Sequence, residues 1–328
     1  MRVAITGITG QFGKALARVL DGEPSVTEVI GIARRDFDPA AAGLRKVVYR
    51  QGDVRDPELR TAFQGADVVV HLAFVIGGTR ADQQQRRDIN VDGSRNVFAA
   101  TAEAGARKLI YASSVAAYGA HPDNPDLITE DHPTRGTPGV SYSEEKAEVE
   151  GILDLFEKEH PSITVTRMRP CAVAGPGLED MLWEFLPDAA RRLPIFASWF
   201  PRLFPNPVQG GRLLAQAVHE DDVAEAFRLA IVGDAPGAFN LAGEDVLGAR
   251  DIASIMRARA IPVPLFGTRR LVDVAHRIGL SKVPGEWIDL MRYPILVDST
   301  RARDVLGWKP AFTSEAALRS TANRLFGA

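Results

Sequence analysis

The stretch Thr6-Gly7-Ile8-Thr9-Gly10-Gln11-Phe12-Gly13 decides how this chain folds. A short β-branched run, Val3–Thr6, leads into it. After it, Phe12, Ala15, Leu16 and Val19 recur at i, i+3, i+4 and i+7, the spacing of one helix face. A strand therefore enters a helix through a turn that carries three glycines. Gly7 permits the tight turn, Gly10 lets the backbone approach a phosphate, and Gly13 lets the helix pack closely on a sheet. The helix start offers N–H groups without intrahelical partners and a partial positive charge. Three glycines alone are turn chemistry. Between a strand and a helix they read as a pyrophosphate-binding loop, with Gly7, Thr9, Gly10, Gln11, Phe12 and Gly13 as its candidate dinucleotide contacts.

The same alternation continues outward. Further short apolar runs lie at Val29–Ala33, Val47–Tyr49, Val68–Ala73, Leu109–Ser113 and Thr164–Met168. Their weak polar alternation suits strands buried on both faces. Helical periodicity fills the gaps: Val91, Val97 and Phe98 in one helix, and Val149, Ile152, Leu153 and Phe156 in another. Strands alternating with helices imply right-handed crossovers and a doubly wound parallel α/β sheet. We expect residues 1–170 to form the dinucleotide-binding domain, with 211–242 returning to it. Residues 171–210 and 243–328 are read as a smaller, interleaved C-terminal substrate-binding part. Asp222 followed by Glu225 predicts a capping box, and His219 before it reads as a structural residue at a strand end.

The second strand bears on cofactor choice. A site for NAD usually ends that strand with an acid that accepts the ribose 2′-hydroxyl. Here Ala33 stands in that place and Arg34 and Arg35 follow, which suits the 2′-phosphate of NADP through charge-assisted forked hydrogen bonds. NAD remains the alternative, because the two arginines can be solvated loop charges and Asp36 can serve a ribose. Asp53 and Val54, closing the third strand, are placed to meet the adenine edge.

Tyr142 and Lys146 stand one helical turn apart on the face continued by Val149 and Leu153. A cation beside a phenol lowers its pKa from about 10 and makes it a usable acid/base for an alcohol or carbonyl. Ser113 and Ser114 end the fifth strand at the carboxyl edge of the sheet, where doubly wound folds bind ligands, and a hydroxyl there can hold the substrate oxygen.

Composition narrows the partners. The 328 residues carry a net charge of −3, with 45% hydrophobic and 25% charged side chains. That is ordinary globular usage without a basic field, so a small-molecule substrate is expected and nucleic acid is not. The longest apolar run, Ala66 to Gly78, is broken by Asp67 and His71, too short for a membrane span. Cys171 is the single cysteine, which excludes intramolecular disulfides and Cys-based zinc sites; no metal is expected. With no secretory leader in MRVAITG, the expected location is the cytoplasm.

Taken together, TGITGQFG at 6–13, GDV at 52–54, HLAF at 71–74, NVDGSRNV at 90–97, SSVAAYG at 113–119, YSEEK at 142–146, RPCAVAGPG at 169–177 and LGWKP at 306–310 resemble the extended short-chain dehydrogenase/reductase superfamily. It is also called the NAD-dependent epimerase/dehydratase family, and its dinucleotide domain is a Rossmann fold. The resemblance implies that Ser114 is the catalytic hydroxyl, Tyr142 the acid/base, and Lys146 the residue that binds the nicotinamide ribose and tunes Tyr142. It further implies that Leu72, Ala73, Phe74 and Asn90 line the cofactor, that the Cys171 backbone lies near the nicotinamide, and that the protein is a homodimer formed through helices near 91–104 and 141–159. Nothing around Cys171 would make its thiol a nucleophile.

Departures from the family pattern narrow the chemistry. Its dehydratases carry Asp-Glu directly after the catalytic hydroxyl, where this chain has Val115 and Ala116. Its sugar-nucleotide epimerases usually carry Asn where Ala172 stands. Phe74, Val75 and Ile76, then Met181, Trp183 and Phe185, make the substrate segment apolar. The expected activity is an NAD(P)-dependent oxidoreductase acting on a small or lipophilic alcohol or carbonyl. The alternatives are an epimerase that retains NAD and, from another class, a dinucleotide binder without catalysis.

Overall fold

Val3, Ala4 and Ile5 are wholly buried, as are Val29 and Ile30, so consecutive residues of these strands meet apolar partners on both sheet faces. The computed structural model describes residues 1–76, 83–177, 203–207, 213–263, 265–277 and 285–326. Seven strands form one parallel sheet: β1 (Arg2–Thr6), β2 (Glu28–Ala33), β3 (Val47–Gln51), β4 (Val68–His71), β5 (Lys108–Ala112), β6 (Thr164–Pro170) and β7 (Gly237–Leu241). Their spatial order is β7-β6-β5-β4-β1-β2-β3, and every pairing is parallel. The order reverses between β1 and β4, the switch point at which ligands bind in such sheets. This is the doubly wound Rossmann architecture.

Helices cover both faces. Helix α1 (Gln11–Gly22) and helix α4 (Glu220–Val232) pack together on one side, with Leu16, Leu20, Val223 and Phe227 in a common core. On the other side lie α2 (Gly93–Glu103) and α3 (Ser141–Glu159), with Val97, Phe98, Val149 and Leu153 in theirs. A π-helical turn, Asp88–Asp92, precedes α2 and carries Val91.

The C-terminal residues return to the sheet domain at several points. Trp308 is fully buried and its indole Nε1 donates to the Asp222 carbonyl at 2.8 Å. The capping box expected at Asp222 is corrected here: α4 starts at Glu220, its N-cap is His219, and the His219 ring accepts from the Asp221 N–H. The Asp222 carboxylate instead accepts the N–H groups of Ala311 and Phe312, at 2.8 and 3.1 Å. The carboxylate thus fastens a distant segment where the sequence pattern suggested a local cap.

Candidate active site

The glycine loop leaves β1 through Gly7 at φ +77°, and an added Cβ there would lie 2.7 Å from the Ala73 backbone nitrogen. Side chains larger than hydrogen are excluded because the ends of β1 and β4 meet at this point. A Cβ on Gly13 would lie 2.5 Å from the Gly7 carbonyl, so the third glycine lets α1 close on its own loop. Gly10 is the N-cap of α1 and supplies no side-chain acceptor, leaving the first-turn N–H groups facing out of the helix end. A cradle that any Cβ would fill, at an uncapped helix N-terminus, fits a pyrophosphate.

A cleft opens from this loop across the switch point. Gly7, Thr9 and Gly10 line it together with Ala33, Arg34, Arg35 and Val54 on the β2–β3 side and Leu72, Ala73 and Phe74 beyond β4. Ile32, Gly52 and Ile89, which are not among the expected contacts, also line it, as does Val75, which is expected in the apolar substrate segment. Arg34 and Arg35 are exposed at the end of β2.

Other candidates hold protein partners of their own. The Gln11 amide donates to Glu220 at 2.6 Å, so Gln11 offers the cleft its backbone, while Phe12 is half-buried. The Asp53 carboxylate is held by Arg55 at 2.8 and 2.9 Å, and that guanidinium keeps it below the ordinary carboxylate range. The fully buried Asn90 amide both accepts from and donates to the Val75 backbone, at 2.7 and 3.0 Å, and also donates to Glu145 at 2.6 Å. Asn90 thereby fixes the strand-end segment that walls the cleft. Burial pushes the Cys171 thiol far up, away from thiolate chemistry. Met181, Trp183 and Phe185 lie outside the described residues.

Beyond the cleft the structure separates the two serines after β5, since successive residues of an extended chain point to opposite sides. Ser113 Oγ turns inward to Glu150 at 2.6 Å. Ser114 caps the 3-10 turn Val115–Ala117, accepting the Ala116 N–H at 3.1 Å, and its side chain acts to lower the Tyr142 pKa. Ser143, which the sequence reading passed over, stitches this turn to α3. Its hydroxyl donates to the Ala116 carbonyl at 2.5 Å and accepts the Thr137 N–H at 2.7 Å.

Lys146 is buried, donating to the Ala112 carbonyl at 2.6 Å and to the Tyr111 hydroxyl at 3.2 Å. Its ammonium lies 3.6 Å from the centre of the Phe74 ring and 6.0 Å from that of Tyr142. Burial pulls its pKa down to about 7, opposed by the charges of Glu150 and Glu145. The expected lowering of the Tyr142 pKa is corrected as well. Desolvation raises it above the ordinary phenol value, and Ser114 offsets only part. Lys146 directs its protons at Ala112 and Tyr111 and faces Phe74, so burial wins at the phenol.

Beneath these groups lies a buried ion cluster. Arg169 forks onto Glu150 at 2.8 and 2.9 Å and donates to the Tyr118 hydroxyl at 2.8 Å. His219 stacks on Phe312 with ring centres 3.9 Å apart, consistent with a packing role. Among the described residues no group of three or more His, Cys, Asp and Glu could hold a metal ion, and no helix is long and apolar enough to cross a membrane.

The model of the NAD dependent epimerase/dehydratase family matches residues 3–242. The chain belongs to this family. It is thus an enzyme of an NAD-dependent family, built on the family's Rossmann sheet. An uncharacterized protein of Mycobacterium tuberculosis is 26% identical over 321 residues, covering 95% of this chain and 81% of the relative. A sterol demethylase protein B from Methylococcus capsulatus is 31% identical over 195 residues, 58% of this chain and 56% of that protein. Among solved structures, the UDP-glucose 4-epimerase of Thermus thermophilus in complex with NAD superposes with a TM-score of 0.72 at 21% identity, over 100% of both chains.

Proposed function

We propose that this protein is an NAD(P)-dependent oxidoreductase that moves a hydride between a nicotinamide cofactor and a small or lipophilic alcohol or carbonyl. The observation that carries the reading is Tyr142 packed against Phe74 and Trp287, on a helix that Ser143 stitches to the turn after Ser114, with aliphatic Val115 and Ala116 directly following that serine. Two aliphatic side chains there transfer no proton to or from carbon, which disfavours dehydration. The partial similarity to a protein named sterol demethylase B is in keeping with a lipophilic substrate.

When bound, the dinucleotide supplies the site that gives or takes the hydride. The glycine loop and the first-turn N–H groups of α1 would hold its pyrophosphate, and Lys146 its nicotinamide ribose. Arg34 and Arg35 favour NADP over NAD through the 2′-phosphate. Ser114 Oγ holds the substrate oxygen, and Tyr142 Oη takes the hydroxyl proton in oxidation or returns it in reduction. The same reading makes the enzyme a cytoplasmic homodimer joined through α2 and α3, where Leu155 is an exposed apolar side chain.

The test is to denature freshly purified protein and identify any released dinucleotide by mass spectrometry. Protein without nucleotide that binds NADPH more tightly than NADH supports an exchanging reductase. Near-stoichiometric NAD supports the epimerase alternative and removes the argument from Arg34 and Arg35. On a carbonyl substrate found by screening, Tyr142→Phe loses at least about a hundredfold in kcat; full turnover in that variant would refute the acid/base assignment.

A further inference from the structure

We propose that Glu286 and Trp287, from the C-terminal part of the chain, are positioning residues that cap the catalytic helix and hold the Tyr142 ring in its working orientation. The proposal rests on the reading of Tyr142 as acid/base. Two independent contacts carry it. Helix α3 has Val140 at its N-cap, which offers no side-chain acceptor. The Glu286 carboxylate takes that place from 145 residues away, accepting the Ser141 N–H at 3.1 Å and the Ser141 hydroxyl at 3.3 Å. A carboxylate at a helix N-terminus satisfies an orphan donor and complements the helix dipole. One residue along each chain, Trp287 stacks on Tyr142 with ring centres 5.6 Å apart and planes 21° apart. Phe74 meets the same ring edge-on at 5.7 Å.

The pair is itself anchored. The Gly285 N–H donates to Asp273 at 3.1 Å, and Arg269 pairs with Asp289, tying the turn Trp287–Leu290 to the helix Leu265–Arg277. A Cβ on Gly285 would lie 2.5 Å from the Arg269 carbonyl, so the chain closes on that helix where only glycine fits. The indole therefore fixes the plane of the phenol and keeps water from one of its faces, while Glu286 fixes the first turn that carries it. Among the described residues, the charged and titratable groups on the elements packed about Tyr142 are Lys146 and Glu145 on its own helix, Tyr111 on β5, and Glu286 itself.

The test combines turnover with direct titration of the phenol. The full-length protein and its Trp287→Ala, Trp287→Phe, Glu286→Ala and Glu286→Gln variants are titrated by phenolate absorbance, each with and without Tyr142→Phe, so that the difference isolates Tyr142. Trp287→Ala admits water and moves the Tyr142 midpoint down by about one pH unit, with the matching limb of the kcat profile, and lowers kcat about tenfold with a smaller change in KM. Trp287→Phe keeps an aromatic face and restores both. Glu286→Ala lowers kcat severalfold, whereas Glu286→Gln, which retains an acceptor for Ser141, does not. A lower melting temperature in Trp287→Ala with an unmoved midpoint and unchanged kcat would overturn the proposal, as would failure of both conservative variants to rescue. Full turnover in Tyr142→Phe would instead remove the catalytic reading, and the titration would still report whether the indole shields the ring.

Discussion

Gly7→Ala tests the meeting of β1 and β4 that creates the dinucleotide cleft. Two costs add at this residue. Its φ of +77° lies where an L side chain is disfavoured by roughly 1–2 kcal/mol. The new methyl also lies 2.7 and 2.8 Å from Ala73 N and Cα, backbone atoms that cannot rotate away. Overpacking of that kind costs about 1–3 kcal/mol. The sum, roughly 2–5 kcal/mol, is a large share of the 5–15 kcal/mol that typically holds a domain together. Two control variants separate the terms. Gly43 has φ +73° with nothing within 4 Å of an added Cβ, so Gly43→Ala carries the backbone cost alone. Gly13 sits in helix α1, where alanine gains up to about 1 kcal/mol of propensity, yet its methyl would meet the Gly7 carbonyl at 2.5 Å. Urea unfolding measures all three, and fluorescence titration with NADPH measures the cleft. Gly7→Ala should be the least stable and lose at least tenfold in dinucleotide affinity, while Gly43→Ala binds normally. If Gly7→Ala proved no worse than Gly43→Ala in both assays, the close approach of the two strand ends would be wrong.

Replacing Arg34 and Arg35 together by serine should reduce the preference for NADPH over NADH at least tenfold, read from paired titrations; an unchanged ratio would leave no role for the arginines in cofactor choice. Glu150→Ala strands Arg169 without its forked partner in the core, and should cost about 3–5 kcal/mol in urea unfolding; a change under 1 kcal/mol would mean the cluster is dispensable. Burial holds the His71 pKa near 3, so between about pH 3 and its ordinary 6.5 the unfolded chain binds a proton that the folded chain does not. Stability should therefore fall as pH drops below about 6.5, and His71→Asn should flatten part of that slope; equal slopes in the two proteins would contradict it.

What the sequence made legible follows from the range over which each signal acts. The glycine loop and the strand runs depend on neighbours a few residues away, and β1, β2 and β5 match the apolar runs to within a residue. The division of labour between Ser113 and Ser114 was not legible, because both are hydroxyls at one strand end. It took the placement of Glu150 on α3 to turn one inward. Asp222 misled for a related reason: its spacing to Glu225 imitates a local cap, whereas its partners are Ala311 and Phe312. Asn90, expected to line the cofactor, also braces Val75 and Glu145, contacts that no local pattern announces. No local pattern marks Glu286 or Trp287, whose contacts span 145 residues.

The reaction proposed for this site depends on a turn lined by buried aliphatic side chains. Val115 and Ala116 are 9% and 7% exposed, on a turn closed by Ser114 at one end and stitched by Ser143 to the catalytic helix. A pair of carboxylates at these positions would be buried, at a desolvation cost of several kcal/mol per ion. On the proposed reading, the positions that carry carbon-acid chemistry in the family's dehydratases serve here to pack the turn that carries Ser114. A hydroxyl and a phenol so fixed can move a proton on oxygen, and neither aliphatic neighbour can move one on carbon. On that reading, the same two side chains leave Ser114 and Tyr142 as the proton-moving groups of the site and confine its chemistry to the carbon–oxygen bond that hydride transfer interconverts.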